Sequence, residues 1–201
     1  SVKATADSLG TKQIAKQITK QIADVKNHQT SCLSTYRLRC FGNYEIIQPQ
    51  DPDRSVKFPT RLSKEILAFL IINNDRTVSR AEIMGCLLPK RTNARAVNLF
   101  HVNLYKLRRF LEQHQYILGD ISINERYRLR LPNGVCDLVD YTRFVRSQTK
   151  LTEKTINDAE LYASLWRGPC FAAEDYPWSD DLRAELEEAQ ENLLLQIADF
   201  R

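Results

Sequence analysis

One face of a predicted helix over residues 94–113 carries side chains suited to recognising a nucleic acid base. Apolar residues recur there every three or four positions, which predicts a helix with a buried stripe of Val97, Phe100, Leu104, Leu107 and Leu111. At about 100° per residue, the opposite face carries Arg95, Asn98, Val102, Lys106 and Arg109. Asparagine can bond to adenine, lysine or arginine can bond to guanine, and valine can contact a thymine methyl group. The pattern indicates base recognition in DNA, and an ordinary solvated charged face is the alternative.

Further candidate residues lie beside this face. His101 and Asn103 lie at its flanks and are candidates for phosphate contacts, and Tyr105 flanks it as well. Residues 121–123 and 127–131 predict a β-hairpin, in which Arg126 and Arg128 would contact phosphates or enter a minor groove. The alternative for the hairpin is a solvated edge strand, since charged residues protect exposed edges. His101 stands alone, so we expect no metal site there.

The elements that must position these residues have clear local signals. Short antiparallel strands are predicted at residues 36–41, 44–47 and 56–58. A first helix is predicted with Ser63 as its N-cap. A second is predicted after Ser79, with Glu82 completing a capping box, and it ends before Pro89.

The part of the chain after the hairpin is helical and acidic. Helices are predicted from Asp140, over about residues 155–166, and along a last amphipathic stretch that includes Leu182 and Phe200. The fold class is therefore α+β: a winged helix-turn-helix with an N-terminal antiparallel sheet and a C-terminal hairpin wing, followed by an all-α segment.

Composition sets limits on the function. The 201 residues are 43% hydrophobic and 27% charged, as is usual for a globular protein. Residues 1–150 hold 25 Lys/Arg against 13 Asp/Glu, whereas residues 151–201 hold 4 against 12, and the basic part suits a polyanion. No apolar run approaches the roughly 20 residues of a membrane span, and the first residues lack the apolar stretch of a secretory signal. We expect a cytoplasmic protein whose five cysteines, which include no C-x-x-C pair, are reduced thiols without zinc.

Several segments resemble a known family. Residues 36–146 resemble the OmpR/PhoB-type winged-helix DNA-binding domain through LRCFG (38–42), LSKEILAFLII (62–72), VSRAEI (78–83), NLFHVNLYKLRRFL (98–111) and YRL (127–129). Downstream, LY (161–162), RGPCF (167–171) and EDYPW (174–178) resemble the start of a bacterial transcriptional activation domain. This pairing is typical of SARP-type regulators and of response regulators, in two-component signalling, that share their effector half.

The resemblance implies a domain organisation and further roles for residues. Ile14, Ile18, Ile22 and Val25 recur at helical spacing, which predicts a linker helix or the tail of an upstream domain within residues 1–32, with a frayed terminal segment as the alternative. The resemblance implies a DNA-binding domain at 33–146 and a partial all-helical activation domain at 147–201. It also implies a fourth strand in the N-terminal sheet. Asn98, Val102 and Lys106 would face bases, and Asn103, Tyr105 and Arg108 would meet the backbone or groove edges. The family's Trp-Pro after the second helix is Leu88-Pro89 here, in a loop that often touches RNA polymerase in that family.

The sequence therefore predicts a sequence-specific DNA-binding transcription regulator, the effector part of a longer, signal-responsive protein. Double-stranded DNA, RNA polymerase and a second copy on DNA are the expected partners, and no cofactor is expected. An enzyme is not expected, because the sequence has no Gly-rich phosphate loop, H-E-x-x-H or G-x-S-x-G. The alternative is a winged-helix protein-interaction module that does not bind DNA, since a fold does not determine a function.

Overall fold

The computed structural model describes residues 36–48, 50–89, 93–124, 126–147 and 150–200, so the linker helix predicted within residues 1–32 lies outside the described residues. In chain order the elements are β1 (Leu38–Arg39), β2 (Glu45–Gln48), β3 (Asp51–Val56), α1 (Arg61–Ile72), α2 (Arg80–Leu87), α3 (Ala94–Gln113), α4 (Gln115–Leu118), β4 (Ser122–Ile123), β5 (Leu129–Arg130), α5 (Asp137–Ser147), α6 (Ile156–Ala163) and α7 (Asp180–Phe200). A 3-10 turn over Pro177–Ser179 precedes α7. This mixture of helices and small antiparallel sheets is compatible with a winged-helix fold.

The N-terminal sheet is antiparallel, in the order β1-β2-β3. Ile46 in the central strand pairs with Leu38 on one side and Val56 on the other. The expected position of the third strand was wrong, because β3 covers 51–56 rather than 56–58. Pro52 lies within β3, and a proline, which lacks an amide donor, is accommodated on an edge strand such as this one. Among the described residues this sheet has three strands, and the implied fourth is not one of them.

Helix α1 begins three residues earlier than Ser63 would place it. Its N-cap is Thr60, whose side-chain oxygen accepts a hydrogen bond from the Ser63 amide at 3.0 Å. The predicted cap at Ser63 was therefore wrong. Ser63 lies inside the first turn, fully buried, and its hydroxyl donates to the Asn103 carbonyl oxygen of α3 at 3.1 Å. These bonds fix the start of α1 against the middle of α3.

Replacing Thr60 with alanine should lower the free energy of unfolding by roughly 1–2 kcal/mol, as expected for a lost N-cap. The Thr60 hydroxyl also donates to Asn103 Oδ1 at 2.6 Å, so the change removes a second bond at the same place. Chemical denaturation would measure the loss. Thr60→Ser keeps the oxygen and is the matched control. Equal losses in the two variants would show that the hydroxyl does not cap α1.

The next helices and the hairpin agree with the sequence patterns. Ser79 caps α2, and the Glu82 carboxylate accepts a hydrogen bond from the Ser79 amide at 2.6 Å, so the predicted capping box is present. This bond, together with one from Arg76, lowers the pKa of Glu82 to about 2. Helix α3 spans the predicted residues 94–113, and β4 pairs antiparallel with β5 across the predicted hairpin.

The helical part packs onto the N-terminal sheet. Helix α5 starts at Asp137 rather than at the predicted Asp140. The Phe41 ring contacts those of Tyr141 and Trp166, with centroids 5.1 and 4.9 Å away. The Phe171 amide donates to the Cys40 carbonyl oxygen at 2.8 Å. The two parts therefore share one hydrophobic core, and the boundary between 146 and 147 stays a prediction. Among the described helices, none combines the length and the apolar character that crossing a membrane requires.

Candidate nucleic-acid interface

Helix α3 presents one buried and one exposed face. Phe100, Leu104 and Leu107 are buried in the core. On the other side, Val102 keeps 42% and Tyr105 64% of their surface exposed. The polar members of the predicted face are exposed as well, namely Arg95, Asn98, Lys106 and Arg109, and so is His101 at its flank. The helix therefore places donors, acceptors and an apolar group together on the protein surface.

Arg109 takes part in a surface ion pair within α3. Its guanidinium lies 2.9 Å from the Glu112 carboxylate, and both side chains are more than half exposed. An exposed pair of this kind contributes roughly 0–1 kcal/mol, so a phosphate can replace the carboxylate at little cost. Arg109 therefore remains available to an anion from outside the chain.

Asn103 does not belong to the exposed face. Its side chain is buried, with only 5% of its surface accessible. The amide nitrogen donates to the Leu99 carbonyl oxygen at 2.8 Å, and the amide oxygen accepts from Thr60. We therefore remove Asn103 from the candidate contacts, because the start of α1 crosses α3 at this position and engages its amide. Its role is to hold the two helices together.

The wing is shaped by a side chain in its turn. Asn124 Oδ1 accepts hydrogen bonds from the backbone amides of Arg126, at 3.1 Å, and Arg128, at 2.9 Å. The rings of Tyr127 and Phe100 lie 5.6 Å apart, so the wing packs against α3. Both arginine side chains are exposed, and Arg128 approaches the Asp75 carbonyl oxygen at 3.4 Å. The wing therefore packs against α3, and it leaves Arg126 and Arg128 exposed.

Two arginines have positions that the sequence patterns did not give. Arg108 was implied to meet a groove edge, but it is half-buried and donates to the Asn124 carbonyl oxygen at 3.2 Å, which ties α3 to the wing. Arg80 was not singled out, yet its guanidinium Nη1 lies 3.5 Å from His101 Nε2. Its position directly after the predicted cap Ser79 was the signal that could have located it at the start of α2.

A buried cluster of possible metal ligands lies elsewhere, between the sheet and α5. The Cys40 and Cys136 sulfur atoms are 3.6 Å apart, and the Asp137 carboxylate is close to both. That carboxylate already accepts bonds from the Cys40 and Leu138 amides, both at 2.7 Å, and from Arg167 at 2.6 Å. Burial raises the pKa of the Cys40 thiol, which disfavours the thiolate that a metal requires. The protein's own donors therefore occupy the Asp137 carboxylate, and the side chains of Cys40, Cys136 and Asp137 are buried in the core.

Comparisons with known proteins agree with this description of the fold. No family model matches the chain, and no curated protein matches it in sequence. Among solved structures, it is similar to EmbR of Mycobacterium tuberculosis, which was determined in complex with a low affinity phosphopeptide. The TM-score is 0.56 at 21% sequence identity, over 77% of this chain and 42% of EmbR. The chain thus spans less than half the length of that neighbour, and at this identity the likeness is one of fold.

Proposed function

We propose that this chain is the sequence-specific DNA-binding part of a transcription regulator of the SARP or OmpR type. The observation that carries the proposal is the exposed face of α3, where Asn98, Val102 and Lys106 lie one helical turn apart. Val102 exposes 42% of its surface, and an exposed apolar side chain between two polar ones suits contact with a thymine methyl group better than it suits a purely solvated face.

The proposed geometry uses both the helix and the wing. A major groove about 12 Å wide admits an α-helix, and the 20 residues of α3 supply more than enough length. The wing arginines Arg126 and Arg128 then contact the adjacent minor groove or its phosphates. The likeness in fold to EmbR supports the architecture on which this geometry depends.

Two protein partners belong to the same proposal. A second copy of the chain occupies a second half-site, so DNA selected by the protein should contain a repeated motif at a fixed spacing. RNA polymerase contacts the surface beside the α2–α3 connection. A groove of about 620 Å³ lies there, and its apolar lining includes Leu87, Leu88, Pro89 and Leu99. Binding of purified RNA polymerase to the DNA-bound chain tests this contact, and an unchanged complex in its presence would argue against it.

The test of the proposed function is a binding selection with the full chain on a random double-stranded DNA library, followed by titration of the enriched sequence at two salt concentrations. Enrichment of a short motif, with affinity falling steeply as salt rises, is the expected result, because each phosphate contact releases counterions. Failure to enrich any motif, with weak binding that disappears at moderate salt, would instead favour a protein-interaction module.

A further inference from the structure

Two buried thiols lie in contact where the N-terminal sheet meets α5. Cys40 directly follows β1, Cys136 directly precedes α5, and their Sγ atoms are 3.6 Å apart. Neither residue exposes more than 1% of its surface. The sulfur atoms of a disulfide are about 2 Å apart, so these two would have to approach by roughly another 1.5 Å, a distance within the range of side-chain rotation.

Backbone hydrogen bonds hold the two segments together beside the thiols. The Val135 carbonyl oxygen accepts from the amides of Arg37, at 3.1 Å, and Leu38, at 2.8 Å. The Cys40 amide donates to the Asp137 carboxylate at 2.7 Å. These bonds connect the residues directly before and after both cysteines. The thiols therefore stay close to each other in the folded chain, which gives each a high effective concentration for the other.

We propose that Cys40 and Cys136 form a modification site, at which a small disulfide such as glutathione disulfide oxidises them to an intramolecular disulfide. This inference does not depend on DNA binding. One cysteine, as its thiolate, attacks a sulfur of glutathione disulfide and releases one glutathione thiolate. The second cysteine loses its proton to solvent and attacks the protein sulfur of the mixed disulfide, which releases the second glutathione. Two protein thiols are thereby oxidised, and one glutathione disulfide is reduced to two glutathione molecules.

Burial makes this reaction slow in the closed fold. It raises the pKa of the Cys40 thiol, and the thiolate is the reactive form. Glutathione disulfide also cannot reach a sulfur that the core covers, so the first step requires local opening of the chain. The exposed thiol of Cys86 should therefore react earlier than the pair. Once formed, the disulfide is covered by the same core, which should protect it from reduction.

The disulfide would close a large loop around the candidate interface. The two cysteines are 96 positions apart, and the chain between them contains β2, β3, α1, α2, α3 and the wing. A disulfide stabilises a fold mainly by restricting the unfolded chain, and the effect increases with the length of the loop. Oxidation should therefore stabilise the segment that carries the candidate interface, while the two sulfur atoms stay in the core.

The experiment incubates the full chain at pH 8 with an excess of glutathione disulfide over glutathione, in urea below the unfolding midpoint. Mass spectrometry of alkylated, unreduced peptides should identify a link between Cys40 and Cys136, with the loss of two hydrogen masses. Cys86 should appear earlier, as a mixed disulfide with glutathione. The linked protein should unfold at a urea concentration roughly 1–2 M higher than the reduced protein, and dithiothreitol should reverse this shift.

Cys136→Ala and Cys170→Ala are matched variants, because each removes one buried thiol. Cys136→Ala should lose the link and the shift in urea midpoint, whereas Cys170→Ala should keep both. Cys40→Ala should behave as Cys136→Ala does, and circular dichroism checks that each variant is folded. A link from Cys40 to Cys170 would overturn the inference, as would an equal midpoint shift in Cys136→Ala. It would also be overturned if Cys40 and Cys136 stayed free thiols after Cys86 had reacted completely.

Discussion

Replacing Arg167 with methionine should destabilise the fold by about 3 kcal/mol, because it leaves a buried carboxylate without its cation. The Arg167 guanidinium lies 2.6 Å from Asp137 Oδ2 and donates a second bond to the Phe41 carbonyl oxygen at 3.2 Å. Asp137 is fully buried, and Arg167 retains 24% of its side-chain exposure. Urea unfolding at pH 7 would measure the loss in the free energy of unfolding.

The control for this prediction is an exposed ion pair in the same region. Arg146 lies 3.8 Å from Glu185, with both side chains about 60% exposed (59% and 62%). Arg146→Met should cost less than about 1 kcal/mol, because water already solvates both charges. In the double variant Arg167→Met/Asp137→Asn, the unpaired charge is gone and part of the stability should return. Equal losses for Arg167→Met and Arg146→Met would contradict the importance of the buried pair.

The Asp137 carboxylate makes the stability of the fold depend on pH in a defined direction. Burial raises the pKa of Asp137 from 3.8 to about 6, while Arg167 and the Cys40 and Leu138 amides oppose the shift. Between pH 4 and pH 6 the folded state therefore holds a proton that the unfolded state has released. The contribution of Asp137 to stability falls as pH rises through this window and is constant above it. Asp137→Asn should abolish the fall in the free energy of unfolding that Asp137 causes between pH 4 and pH 6. An unchanged pH profile in this variant would contradict the assignment to Asp137.

The ion pair also explains how the acidic helical part is attached. Asp137 begins α5, Cys40 follows β1, and Arg167 lies in the loop between α6 and α7. One carboxylate thus joins three segments that are 97 and 30 residues apart in the chain. Nearby, the Trp178 indole donates to Glu65 on α1 at 3.0 Å. The aromatic EDYPW segment therefore acts as a contact between the helical part and the helix that supports α3.

Sequence periodicity predicted the elements whose signals are local. The capping box at Ser79 and Glu82 and the apolar stripe of α3 depend on neighbouring residues, so the bounds of α3 agree with the prediction. Long-range contacts were not predictable in this way. A helical wheel places Asn103 at the edge of an exposed face, but it contains no information on where α1 crosses, and the crossing buries that side chain.

The same limit applies to the candidate site. Five residues on one helix face could be proposed from their spacing, because a face is a property of a single helix. The approach of Arg80 to His101 joins α2 to α3, and the bond from Arg108 to Asn124 joins α3 to the wing. Both depend on how separate elements pack. Whether the exposed face binds DNA depends on a partner and stays a prediction until it is measured.

Replacing Lys106 with alanine should lower sequence preference more than general DNA affinity. Its side chain is exposed on α3, and in the proposed geometry its ammonium donates to guanine acceptors in a major groove. Loss of a base contact costs roughly 1–3 kcal/mol in discrimination, a change of about 5- to 150-fold in the ratio of specific to random affinity. Competition titrations of the selected motif against random DNA would give this ratio.

Arg126→Ala provides the contrasting result. A wing arginine that contacts phosphates carries no base information, so its loss should weaken binding to specific and random DNA by the same factor and lower the salt slope by about 0.9. Lys154→Ala removes an exposed cation from the helical part and should change neither quantity. If Lys106→Ala and Arg126→Ala both lowered specific and random binding equally, α3 would act only as a cationic surface, and sequence recognition would have to reside elsewhere. A fall in the specificity ratio confined to Lys106→Ala would place base recognition on the face where Asn98 and Val102 lie beside it.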